Sequence, residues 1–147
     1  MRTLRSTLLA LAVGALGVMA APGQTQKSGN HAVPSYDLAR EVRVKGEILE
    51  VKNYDCPISG TMGAHLMLQT AEGVVEAHLA PAAFLSEYQM SFAKGDKVEI
   101  LGTKVTFHDA PALLVRQDTR DQCDYFFRDA KGRPLWATRR ATHSNRT

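Results

Sequence analysis

Residues 54–81 read Tyr-Asp-Cys-Pro-Ile-Ser-Gly-Thr-Met-Gly-Ala-His-Leu-Met-Leu-Gln-Thr-Ala-Glu-Gly-Val-Val-Glu-Ala-His-Leu-Ala-Pro. The pattern is a loop, a strand, a tight turn and a second strand. With a two-residue turn at Ala71-Glu72, Thr70 faces Gly73, Leu68 faces Val75, Leu66 faces Ala77, and His65 lands opposite His78. Directly opposed residues of antiparallel strands are close enough to share a ligand or a proton. Period-two alternation puts Leu66, Leu68, Val75, Ala77 and Leu79 on a core face. It puts His65, Met67, Gln69, Glu76 and His78 on the opposite face. A three-residue turn would divide the two histidines between the faces.

On the N-terminal side, Asn53 to Ala64 holds Pro57, Gly60 and Gly63 and reads as a long loop. Before it, Glu41 to Lys52 reads as a long strand. Its apolar parity runs through Val42, Val44 and Ile48, then switches to Leu49 and Val51 shortly after Gly46. A strand that changes its buried face beside a glycine is expected to bulge or bend.

On the C-terminal side, Ala80-Pro81 stops the hairpin and opens a helical pattern through about Met90, with Phe84, Leu85 and Tyr88 as its buried stripe. Lys94-Gly95-Asp96 is a turn. A second long strand carries Val98, Ile100, Val105 and Phe107, with a parity shift around Gly102. After a turn at His108 to Pro111, Ala112 to Arg116 forms a fifth strand. Residues 118–124 read as a polar loop, and Tyr125–Arg128 pairs with Leu135–Ala137 as a C-terminal hairpin. Phe126 and Trp136 are expected to seal a core edge. This order predicts a mainly β fold: a small closed Greek-key barrel of the oligonucleotide/oligosaccharide-binding (OB) type, with one short helix between strands 3 and 4.

The ends differ in composition from this body. Arg2 and Arg5, the apolar run Leu8 to Val18 and the small pair Ala20-Ala21 form a cleavable signal peptide over 1–20, too short to span a membrane. Residues 21–35 form a flexible linker of Gly, Gln, Ser, Lys and Asn. The OB-type domain is assigned to 36–137 and a disordered basic tail to 138–147. The signal holds two of the 18 basic residues and none of the 15 acidic ones, so the exported chain is near neutral. Export, near-neutral charge and sparse aromatics on the predicted strands, where they fall late in the chain, argue against a nucleic-acid partner. The expected localisation is the periplasm, with a small ligand or an envelope protein as partner and no transmembrane segment in the mature chain.

Three segments carry a family resemblance: Val44-Lys45-Gly46-Glu47-Ile48, Gly95-Asp96-Lys97-Val98-Glu99-Ile100-Leu101-Gly102, and Arg128-Asp129-Ala130-Lys131-Gly132-Arg133-Pro134-Leu135-Trp136. They resemble small exported bacterial OB-fold proteins over about residues 40–136. The resemblance implies a fold and a compartment, and carries over no catalytic residue.

Chemistry gathers in the opening stretch. Cys56, Met62, His65, Met67 and His78 supply thiolate, thioether and imidazole donors. That set suits copper(I), and imidazole with thiolate and carboxylate suits zinc. The plainer reading has two histidines on an exposed sheet face, Met67 under the loop and no cofactor. Cys56 and Cys123 in an exported chain also invite a disulfide across a long loop, with a free thiol and a metal-bound thiolate as competitors. No Gly-x-Ser-x-Gly, His-Glu-x-x-His or phosphate-binding glycine motif is present. The expected function is a non-enzymatic binding or accessory module, with periplasmic metal handling as the alternative.

Overall fold

The computed structural model describes residues 32–137. The signal segment, the linker before Ala32 and the basic tail lie outside the described residues. Six strands follow in order: β1 (Glu41–Cys56), β2 (Thr61–Thr70), β3 (Gly73–Pro81), β4 (Lys97–Phe107), β5 (Ala110–Arg120) and β6 (Cys123–Phe126). One short helix, α1 (Ala82–Glu87), separates β3 from β4. The fold is mainly β.

The β2–β3 turn is the two-residue one, and the ladder runs Thr70–Gly73, Leu68–Val75, Leu66–Ala77 and His65–His78. Leu66, Leu68, Ala77 and Leu79 are buried, as the alternation requires. β1 joins two neighbours because it is long: Glu41–Glu47 pairs with β4, and Gly46–Cys56 pairs with β2. Its bend is a bulge between Ile48 and Glu50, slightly beyond Gly46. The turn before β4 holds that bend, with Ile48 N donating to Asp96 O (2.9 Å) and Gly95 N donating to Ile48 O (2.8 Å). The parity shift in β4 lies between Leu101 and Gly102, as the sequence predicts.

β5 pairs antiparallel with β4 and meets β3 in a short parallel ladder, Glu76–His78 against Ala112–Leu114. Hydrogen bonds therefore run around a ring, β1–β2–β3–β5–β4 and back to β1. Ile48, Leu66, Leu68, Leu79, Ile100 and Leu113 belong to the core cluster, which Phe84 and Leu85 of α1 also join.

Five expectations are corrected. β1 continues to Cys56, so the long loop shrinks to the turn Pro57–Gly60. The helix ends at Glu87, and Tyr88 is 46% exposed rather than buried with Phe84 and Leu85. Residues 118–124 are not a loop: β5 runs on to Arg120 and turns into β6 through Asp121 and Gln122, both at positive φ (50° and 65°). Two left-handed central residues match the twist of a hairpin. β6 thereby takes β5 as its partner, and the expected C-terminal hairpin is reduced to an Arg128–Pro134 bridge and a Leu135 N to Phe127 O bond of 3.0 Å. Phe127 is fully buried and Phe126 half exposed, so of the expected pair only Trp136 packs against the core.

Candidate metal centre

Two neighbouring strands and the end of a third supply the site. The His65–His78 pair comes from the β2–β3 register. Cys56 comes from the last position of β1, which pairs with Thr61. In the β1–β2 ladder Lys52 faces His65 and Tyr54 faces Gly63, so Tyr54 and Cys56 share the histidines' face.

That face is not exposed. His65 is 1% and His78 4% accessible, and Cys56 is buried with them. Rings provide the cover. Tyr54 stacks on His65 with centroids 3.9 Å apart, and Phe107, at the end of β4, meets His78 edge-on at 4.8 Å. The two imidazoles stand 4.4 Å apart at 67°.

Three donor atoms, one each from Cys56, His65 and His78, lie within 4.8 Å of one another. Cys56 Sγ is 3.6 Å from His78 Nδ1. His65 Nδ1 is 3.0 Å from Glu76 Oε1, which also accepts a hydrogen bond from the Tyr54 hydroxyl. With a carboxylate at Nδ1, the hydrogen sits there and the lone pair belongs to Nε2. His65 Nε2 and His78 Nε2 are both buried without a hydrogen-bond partner. Leaving a buried polar atom unmatched costs about 1–3 kcal/mol.

Burial is the main cause that pushes the His65 pKa below the ordinary histidine value, with Glu76 acting in the opposite direction. Burial likewise pushes His78 down, to about 4, and neighbouring His65 adds to the effect. Both rings are therefore neutral near pH 7, the form that ligates metals.

Gly63 keeps the cluster open. A Cβ there would lie 2.7 Å from His65 Nε2, 2.9 Å from Cys56 Cβ and 2.9 Å from Ser59 Oγ. Gly63→Ala is expected to cost about 1–3 kcal/mol of stability through overpacking. Urea unfolding checks this, and a loss below about 0.5 kcal/mol would mean that the site yields freely.

The structure unites three of the five sequence candidates. Met62 pairs with Asp55, on the face opposite Cys56, and is 44% exposed. Met67 shares the histidines' face but faces Glu76, two ladder pairs beyond them. Cys56 and Cys123 are both free thiols, so the expected bridge is not present. Strand geometry explains it: Cys123 pairs with Arg120 at the β5–β6 turn, one position past the Asp124–Thr119–Glu99–Lys45 row, while Cys56 ends β1. About ten residues of β1, bent at the Ile48–Glu50 bulge, lie between those levels. Tyr54, Gly63 and Phe107 were not singled out from the sequence, although Lys52, Tyr54 and Cys56 carry the period-two spacing that marks a continuing strand.

Among curated proteins no match is found. A solved structure of apo TiaS, a tRNAIle2 agmatidine synthetase, is similar at a TM-score of 0.41 and 16% identity. It covers 69% of this chain, which spans only 24% of that one, and a likeness this loose carries no argument. The family match is more extensive, spanning residues 40–122 and with them β1 to β5 and the Cys56, His65 and His78 cluster. The chain belongs to the MamS/MamX magnetosome protein family.

Proposed function

We propose that the protein is a magnetosome-associated accessory module that binds one transition-metal ion through Cys56, His65 and His78. One observation carries this reading: three buried donors converge within 4.8 Å, and two imidazole nitrogens there lack any partner. A polar cluster kept only for packing would be expected to satisfy its own atoms. An ion held by His65 Nε2 and His78 Nδ1 would take up the His65 lone pair that is otherwise unmatched, with His78 Nε2 left as the N–H.

The separations support the same reading. Ligand bonds of about 2.3 Å from sulfur and 2.0–2.1 Å from nitrogen place the two donors about 3.6–3.8 Å apart. Cys56 Sγ and His78 Nδ1 are 3.6 Å apart. Glu76 would be the outer carboxylate that fixes the His65 tautomer and raises its basicity.

The scaffold in this proposal is an OB-type barrel. The ring order β1–β2–β3–β5–β4 and the position of α1 between β3 and β4 support it. Export is also proposed, from Arg2, Arg5 and the apolar run Leu8–Val18. Among the described residues, no helix is long and apolar enough to cross a membrane. No catalytic role is proposed, because the donors are sealed beneath rings rather than facing an open cleft.

The test is uptake of zinc(II) and of copper(I) by the reduced protein, against a Cys56→Ser/His65→Gln/His78→Gln variant shown to be folded by circular dichroism. The expected result is one ion per chain for the native protein and none for the variant at matched concentrations. Equal uptake by both proteins would overturn the reading.

A further inference from the structure

We infer that the Cys56–His65–His78 centre is a closed three-coordinate site selective for copper(I) over zinc(II); this rests on the metal-binding reading above. Donor type narrows the choice first. A thiolate with two imidazoles is a soft set that suits copper(I) and zinc, whereas hard ions require several oxygens. The nearest carboxylate, Glu76, is already hydrogen-bonded to His65 Nδ1 and to the Tyr54 hydroxyl.

Coordination number then separates copper(I) from zinc. Zinc takes four ligands, and a three-residue zinc site completes its tetrahedron with water or substrate. The cavity lined by Cys56, Ser59, Gly63, His65 and His78 holds about 10 Å³. That volume is at the lower limit for a single water. The Ser59 hydroxyl at its edge is already bonded to the Cys56 and Thr61 carbonyls, and rings cover both histidines. Tyr54 lies flat on His65, and Phe107 stands against His78. Neither thioether completes the set, since Met62 is on the opposite face and Met67 lies two ladder pairs away. A trigonal pocket with scarcely the volume of one water leaves zinc one ligand short, whereas copper(I) is content with three.

Charge does not make the choice. A thiolate alone balances copper(I), and a thiolate with Glu76 would balance zinc. The selection is steric: it depends on the missing fourth donor and on a cavity with scarcely the volume of one water.

Loading should draw the cluster inward. Donors around one ion sit about 3.3–3.8 Å apart, and the three here spread over as much as 4.8 Å. The required movement is under about 2 Å. Cys56 adjoins the Pro57–Gly60 turn and His65 Nε2 borders the space left by Gly63, so both can close on a shared ion.

The experiment is a competition on the reduced full-length protein. Copper(I) is supplied from a buffered bathocuproine disulfonate complex and zinc(II) from a matched chelator, each alone and then together. Native protein is expected to take one copper(I) and to prefer it over zinc by at least about 100-fold. X-ray absorption is expected to show one sulfur and two nitrogens around copper, and Met67→Leu to leave the affinity unchanged.

Each other outcome is decisive. Zinc bound as tightly as copper, with a fourth oxygen ligand, would overturn the copper selectivity and leave the metal-binding reading standing. A loss of more than about tenfold in Met67→Leu would overturn the three-coordinate geometry, because a thioether would then be a ligand. Failure of both metals to bind would overturn this inference together with the reading beneath it.

Discussion

Replacing Gly102 with alanine is expected to cost about 3–5 kcal/mol, a third or more of the stability of an ordinary domain and nearly all of it at the low end of the range. The cause is a backbone collision. A Cβ at this position would lie 2.5 Å from Leu114 O and 3.2 Å from the carbonyl carbon behind it. Flexible side chains can swing away from such a contact, but a carbonyl fixed in a ladder can only carry its strand with it.

Gly102 also marks the register shift between β4 and β5, where Leu101 pairs with Gln117 and Gly102 with Val115. Next to it, Leu114 is the residue that β5 sets against His78 of β3. Pushing β5 outward would therefore loosen the parallel contact that closes the ring, and with it the strand that holds His78. Urea titration of the native and Gly102→Ala proteins measures the cost. A loss below about 1 kcal/mol would show that β5 accommodates the methyl group and that the close approach is not essential.

This dependence on a glycine shows where sequence reasoning succeeded. Parity shifts at Gly102 and just beyond Gly46 are visible in the spacing of apolar residues alone, because each bulge changes which neighbours can face the core. The hairpin register was equally legible. A two-residue turn and one apolar face fix every pair from Thr70–Gly73 to His65–His78.

Burial of the outer face was not legible for a different reason. Alternation separates two faces, but it does not say what lies over the second one. Asn53, Tyr54 and Asp55 look like loop residues individually, yet they extend β1 far enough to bring Tyr54 and Cys56 over the histidines. Phe107 reaches His78 from a strand distant in sequence, through the β5 connection. The C-terminal miss has a local cause. Asp121 and Gln122 adopt left-handed backbone without a glycine to announce the turn, so a hairpin was read as a polar loop.

Asp118 supplies the second large effect. It lies on β5 opposite Ile100 and Tyr125, is fully buried, and has no hydrogen-bond partner at either carboxylate oxygen. The nearby cation is committed elsewhere. Arg120 pairs with Asp96 at 2.5 Å, donates to Ser91 O at 2.7 Å, and lies against the rings of Phe92 and Tyr125. Burial pushes the Asp118 pKa up to about 6; Arg120 opposes the shift, while Asp96 and Asp124 add to it.

The sign of its effect on stability follows from linkage. An acid whose pKa is higher in the folded state retains its proton there after the unfolded chain has lost it, so its contribution falls as pH rises. The fall begins near the ordinary aspartate value, about 4, and is complete just above about 6. From there upward the folded protein carries a constant deficit of roughly 2–3 kcal/mol. His65 and His78, with lowered pKa values, act in the opposite direction, because protonating the unfolded chain below about 6.5 reduces stability as pH falls.

A pH profile of the native protein alone would blend these effects, so the informative quantity is its difference from Asp118→Asn. The amide has no charge to desolvate, and the histidine contributions cancel in the difference. Asp118→Asn is expected to be about 1–2 kcal/mol more stable at pH 7.5, where part of the gain is lost to its own unmatched amide. Near pH 4, where only the cost of the amide remains, the variant is expected to be about 1 kcal/mol less stable than the native protein. Urea unfolding of both proteins at several values between pH 4 and 7.5 tests it. A difference that stays flat across the range would mean that Asp118 finds a partner when ionised, and Arg120 leaving Asp96 is the movement that would provide one.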